Sequence, residues 1–140
     1  VIVNGDILDA ASAREALAQS GADGVMVGRG AYGRPWIASA LDRALESGSE
    51  MLEPDIGARL GIALTHFRDT LCFYGDALGL KVFRKHLAWY VEQAMQPQDA
   101  SERRAVRARL CQIDNVKGVE SALTTLWSKS TLPILAPAHM

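Results

Sequence analysis

Two short apolar runs rich in β-branched residues, "VIV" at residues 1–3 and "GVMVG" at 24–28, bracket one helical stretch, "DAASAREALAQSG". That order constrains the fold more than any other feature of the chain. Asp9 is placed to cap the helix, alanines and leucines share one side, and Gly21 is placed to end it. A strand, a helix and a strand joined this tightly predict two parallel strands connected by a right-handed crossover. Parallel strands are ordinarily buried on both faces, so two of them do not complete a sheet. Their exposed edges are expected to pair with another chain, and self-association is one outcome.

The remaining residues read as helices. Pro35 stands at a first helical turn, and "PWIASALDRALESG" is amphipathic up to Gly48. Beyond residue 49 no strand pattern appears. "PDIGARLGIALTHFRDTLCFYG" puts Leu60, Ala63 or Leu64, Phe67 and Leu71 on one stripe and stops at Gly75. From about Leu80 to Met95 a second helix turns Phe83, Leu87, Tyr90, Val91 and Ala94 inward and Lys81, Arg84, Lys85 and Ala88 outward. A third begins at "DASE", where Asp99 and Glu102 have capping-box spacing, with Arg103, Arg104 and Arg107 on a solvated side. A fourth covers about Val119 to Trp127, and "LPILAPAHM" reads as a loose tail. The expected division is an α/β part at 1–48 and an all-α helical part at 49–140.

Composition narrows the function. With 140 residues, 49% of them hydrophobic, the chain is globular and has material for a core. Its net charge of −1 exerts no overall pull on polyanions, yet residues 81–109 carry seven Lys/Arg against three acids, and residues 1–48 carry four Arg against six. A polyanion surface is therefore expected in the second half. Cys72 and Cys111 read as small core residues, and two distant cysteines make neither a disulfide framework nor a metal set. A reduced, cytoplasmic setting fits them, and no apolar run approaches membrane-spanning length. His66 and His139 have no partners that suggest a metal, and no metal site is expected. Trp36, Trp89, Tyr90 and Trp127 are spaced as core anchors, whereas Tyr32 is better placed for a ligand-side contact.

The chemistry lies where the two strands end, at Asn4-Gly5-Asp6 and Gly28-Arg29-Gly30. Either motif alone is more often a tight turn than a site. At the ends of consecutive parallel strands they put small residues at one sheet edge, where backbone N–H groups approach a ligand closely. Phosphate is the usual guest of such loops after the last two strands of an eight-stranded α/β barrel. Gly28, Arg29 and Gly30 suit it through backbone donors and a guanidinium fork, while Asn4 and Asp6 hold a polyol or fix the loop.

"VIVNGDI", "GADGVMVGRGAYGRPWI" and "GLKVFRKHLAWY", in that order and spacing, resemble the C-terminal part of bacterial tRNA-dihydrouridine synthases of the B type. The resemblance implies the last two strands of a TIM-type α/β barrel at 1–48, followed by a helical tRNA-binding domain at 49–140. It implies FMN, regenerated by NADPH, as the group that reduces the C5–C6 bond of uridines in tRNA. Asn4, Gly5 and Asp6 match the loop after the seventh strand that touches FMN, and Gly28 and Arg29 the phosphate-contacting turn after the eighth. Arg84, Lys85 and His86 match an Arg-Lys-His segment on the tRNA side, and Lys81 shares that helical face. Read without the resemblance, Lys81, Arg84 and Lys85 form a basic face suited to backbone phosphates, although such a face is more often simply solvated, and His86 on the flank of the buried stripe reads as a packing residue. The resemblance also implies that the catalytic cysteine belongs to the first six strands, so this chain alone is expected to be inactive. Two other readings stay open: a different phosphate-binding barrel with a helical appendage, or a non-catalytic RNA-binding or protein-interaction module with a barrel remnant.

Overall fold

The structure, a computed structural model, describes residues 1–95 and 99–128. The tail "LPILAPAHM" and His139 lie outside the described residues. Two compact units divide at Pro54–Asp55.

In the first unit, β1 (Ile2–Asn4) pairs in parallel with β2 (Gly24–Met26), joined by α1 (Ala10–Ser20). The register sets Ile2 against Gly24, Val3 against Val25 and Asn4 against Met26. Asp9 caps α1 as the sequence predicts. Its side chain accepts the Ser12 N–H at 2.8 Å, and Ser12 Oγ accepts the Asp9 N–H at 3.1 Å. These bonds, the Ser12 backbone donor foremost, hold the Asp9 carboxyl below the usual carboxylate range.

After β2 a short 3₁₀ turn (Arg29–Ala31) leads to α2 (Ile37–Ser47). The expected start at Pro35 is corrected: Pro35 stays in the preceding turn and Trp36 occupies the N-cap. Ile37, Leu41 and Ala44 of α2 recur at helical spacing and bury against Ile7, Ala10 and Ala13. Arg14 of α1 ties the two helices together by donating to the carbonyls of Ala44 (3.0 Å) and Ser49, a cation at the negative end of α2.

The boundary falls after Pro54 rather than at 48/49, because Glu53 belongs to the first unit. Its carboxylate accepts from both the Arg34 guanidinium and the Trp36 indole N–H. Within the first unit, helices cover one face of the strand pair. Ile2 and Met26, on the other face, remain 64% and 52% exposed.

The second unit contains α3 (Ile56–Tyr74), α4 (Asp76–Ala94), α5 (Ala100–Leu110) and α6 (Val116–Leu126), with α4 packed against the other three. Asp55 caps α3, and Gly75 both ends α3 and precedes α4. Helix α4 therefore begins four residues before the expected Leu80. Gly79 is buried where α4 crosses α3, and a Cβ there would stand 3.1 Å from Leu71 Cα and 3.2 Å from the Thr70 carbonyl. Phe67, Phe83, Leu87, Tyr90, Val91 and Leu123 form the core of this unit. The α4 side chains expected to face inward do so, apart from Ala94, which is half-buried.

Three expectations fail in this unit. Asp99 makes no side-chain cap bond to α5, so the Asp99/Glu102 spacing does not form a capping box. Arg103 is not on a solvated side: it lies half-buried with Nε 2.7 Å from Glu92, and Arg107 binds the same carboxylate at 3.1 Å. Cys72 is exposed, not core. It stands nine residues from buried Ala63, about 180° away at 100° per residue, on the opposite side of α3.

Gly30 is the glycine on which the first unit most depends. A Cβ at this buried position would lie 2.3 Å from the Ile7 carbonyl oxygen, a backbone atom with little room to yield. Gly30→Ala is expected to lower stability by about 1–3 kcal/mol, read as a fall in the urea midpoint. An unchanged midpoint would show that the two loops are not held in contact.

Candidate functional site

The parallel register places the C-terminal ends of β1 and β2 side by side, so the loops that follow emerge as neighbours. The loop after β1 is unusual in its backbone. Gly5 has φ 131° and Asp6 has φ 47°, the one positive φ outside glycine among the described residues. Such a conformation at an aspartate is held by its surroundings, and it turns the carboxylate toward the second loop. Arg29 meets it: the guanidinium donates to Asp6 Oδ1 at 2.7 Å, with both side chains 77% exposed. An ion pair this exposed adds little stability and is easily exchanged for another anion.

Asn4 ends β1 on the uncovered face of the strands and is exposed, as are Gly5 and Gly28. Among the described residues, nothing beyond its chain neighbours lies within 4 Å of the position a Cβ would take on Gly28, so its backbone is open to a ligand. Gly30 differs: its lack of a side chain is demanded by the Ile7 carbonyl, whatever binds nearby. Tyr32 follows the turn and is partly exposed. Five of the six residues singled out around these loops are thus exposed at one strand end, and the sixth packs the loops together.

The second group lies on α4. Lys81, Arg84 and Lys85 are exposed, and they enter no ion pair among the described residues. That separates them from Arg103 and Arg107, whose charge is spent on Glu92. His86 does not share their stripe. It sits half-buried, with its ring centroid 4.6 Å from His66, 5.3 Å from Trp89 and 5.9 Å from Phe83.

Behind it, His66 Nδ1 and the buried Tyr90 hydroxyl are 2.9 Å apart. Burial lowers both imidazoles, His86 to about 4 with added repulsion from His66 and Lys85, and His66 against the opposing pull of Asp69. Burial likewise raises the Tyr90 hydroxyl. Nothing in the sequence announces this contact set, although His66, His86 and Tyr90 lie on facing helices whose stripes the sequence displays.

Among the described residues, no group of three His, Cys, Asp or Glu side chains stands together to hold a metal, and no helix is long and apolar enough to cross a membrane. Burial raises the Cys111 thiol, with Arg107 and Arg84 acting in the other direction. Its Sγ lies 3.6 Å from the Arg84 carbonyl.

A parallel strand pair with a charged loop edge, followed by a unit of packed helices with a cationic face, defines a mixed α/β protein with a helical C-terminal unit. The chain belongs to the dihydrouridine synthase family, whose model, "Dihydrouridine synthase (Dus)", matches residues 1–126. It is 51% identical over 113 residues to a probable tRNA-dihydrouridine synthase of Rhodobacter capsulatus, covering 75% of this chain and 32% of that protein. It is 50% identical over 90 residues to a protein of the same description from Rickettsia conorii, covering 64% and 27%. To tRNA-dihydrouridine synthase B of Vibrio vulnificus it is 39% identical over 122 residues, covering 84% and 37%. The chain thus spans only 27% to 37% of the length of these curated relatives.

Two outcomes follow from these side chains. His86, neutral when folded, has a folded value below its unfolded one near 6.5, so the unfolded chain binds more protons between pH 6.5 and about 4. Stability is full above pH 6.5 and falls as pH drops through that window. His86→Gln is expected to flatten the fall in urea midpoints, and an equally steep fall in the variant would locate the proton uptake elsewhere. Cys72, being exposed, is expected to react with a thiol reagent several times faster than Cys111. Mass mapping after a short exposure checks this, and preferential labelling of Cys111 would contradict it.

Proposed function

We propose that this chain is the C-terminal part of a flavin-dependent tRNA-dihydrouridine synthase, an oxidoreductase that reduces uridine to 5,6-dihydrouridine in tRNA. The observation that carries the reading is the meeting of Arg29 and Asp6 across two neighbouring loops at the C-terminal ends of parallel strands. The family match over residues 1–126 supports it. In this reading β1 and β2 are the last two strands of an α/β barrel, and their uncovered apolar face is completed by preceding strands. The exposure of Ile2 and Met26 supports that placement.

The loop residues fit an FMN phosphate. The open backbone at Gly28 admits an anion, and the Arg29 fork supplies charge-assisted hydrogen bonds once it exchanges Asp6 for phosphate oxygens. Asp6 holds the guanidinium at the loop until then. Asn4, on the uncovered strand face, is placed to hydrogen-bond a polyol chain. FMN, reduced by NADPH, supplies the hydride chemistry when bound. The chain contributes grip and orientation at the phosphate end, and Lys81, Arg84 and Lys85 hold the tRNA backbone. Cys72 and Cys111 both belong to the helical unit; in this reading the chain is inactive by itself and the proton donor to uracil comes from the longer protein.

In the full-length protein, Arg29→Ala is expected to weaken FMN binding about tenfold or more, the scale of one charged hydrogen bond. Flavin fluorescence titration measures it, and an unchanged Kd would remove Arg29 from the phosphate site. Charge reversal of Lys81, Arg84 and Lys85 is expected to weaken tRNA binding and to flatten the log Kd against log salt line by roughly 0.9 per lost phosphate contact. Unchanged affinity and slope would end the RNA role of that face.

A further inference from the structure

The second unit ends one helical hairpin with large apolar groups in water. Phe73 and Tyr74, the last residues of α3, are 81% and 45% exposed and contact each other edge to face, with centroids 4.8 Å apart and planes at 77°. Across Gly75, Leu78 in the first turns of α4 is 50% exposed. Aromatic side chains are costly to leave solvated, and three large apolar groups at one tip mark a contact surface.

What the tip contacts is indicated by what adjoins it. Leu78, Lys81 and Lys85 fall at i, i+3 and i+7 on one stripe of α4, with Arg84 beside them. Leu78, the α4 side of the tip, therefore leads directly into the cations that make no ion pair among the described residues. Asp69 and Asp76 are the acids at this end of the hairpin, one on α3 and one opening α4. They repel phosphate from the tip but do not oppose the uncharged face of a base. An apolar protein partner has no need of the cationic stripe, and a fully paired RNA helix offers no base faces to the aromatics. A strand with unpaired bases uses both.

We propose that Phe73 and Tyr74 form a stacking platform for unpaired bases of an RNA whose phosphates run along Lys81, Arg84 and Lys85. The proposal rests on the RNA reading of the α4 face and adds to it the contact that favours unstacked nucleotides over a plain duplex.

The test uses the full-length protein, an unmodified tRNA transcript and three variants. Both aromatic positions are exposed, so Phe73→Ala with Tyr74→Ala leaves the fold intact, which circular dichroism checks. The double substitution is expected to weaken tRNA binding about tenfold or more while leaving the salt slope unchanged, because stacking releases no counterions. Phe73→Trp is expected to show solvent-exposed emission that tRNA quenches.

If the aromatic variants bind normally while Lys81→Glu with Lys85→Glu binds weakly, stacking is overturned and the RNA reading stands. If no variant changes affinity, both are overturned. If the tryptophan at position 73 is already shielded from acrylamide in the free protein, the tip is covered by other parts of the longer chain and the platform does not exist.

Discussion

The parallel pairing of β1 with β2 is the constraint on which the first unit depends. Parallel strands cannot be joined by a tight turn, so α1 must cross over, and the crossover puts both C-terminal ends at the same edge. Everything chemical in this unit follows from that edge. Asp6 and Arg29 are 23 residues apart in sequence but emerge from adjacent strand ends and meet at 2.7 Å. The contact requires an aspartate with positive φ and a glycine that lets one loop pass close to the carbonyl of the other. Strain and close approach are thus concentrated where the loops face outward. The core beneath them, built from Ile7, Ala10, Ala13, Ile37 and Leu41, is ordinary close packing.

In the second unit a comparable division separates α4 into an inner face that packs and an outer face that stays charged. Phe83, Leu87, Tyr90 and Val91 anchor the helix, while Lys81, Arg84 and Lys85 project from it. The histidines sit between these roles. Desolvation keeps them neutral in the fold, so His86 is poorly suited to serve as a cation beside its two basic neighbours, although all three are consecutive or nearly so in the chain. A run of similar residues does not make a common surface, because a helix turns each successive side chain by about 100°.

Much of the architecture was legible because it depends on local rules. Asp9 and Gly21 bound α1, Gly48 ends α2, Gly75 ends α3, and the inward stripe of α4 follows from its periodicity. The misreadings have a common cause. Asp99 and Glu102 have the right spacing for a capping box, but spacing does not set the backbone angles a cap needs. Cys72 reads as core beside Leu71, but one residue of rotation carries it away from the packed side. Arg103 looked solvated because nothing local announces Glu92, which comes from another helix.

The sequence by itself determined the order of strands and helices, the two loops rich in small and charged residues, and the family to which the chain belongs. Periodicity, caps and glycine terminators act over a few residues, so a linear reading captures them. Only the tertiary structure decided that Arg29 faces Asp6, that Glu92 consumes two arginines while Lys81, Arg84 and Lys85 form no ion pairs among the described residues, and that Phe73 and Tyr74 stand in solvent. These are outcomes of packing between elements. Which partner neutralises a charge, and which aromatic is left uncovered, depends on residues brought together across the chain by the burial of others.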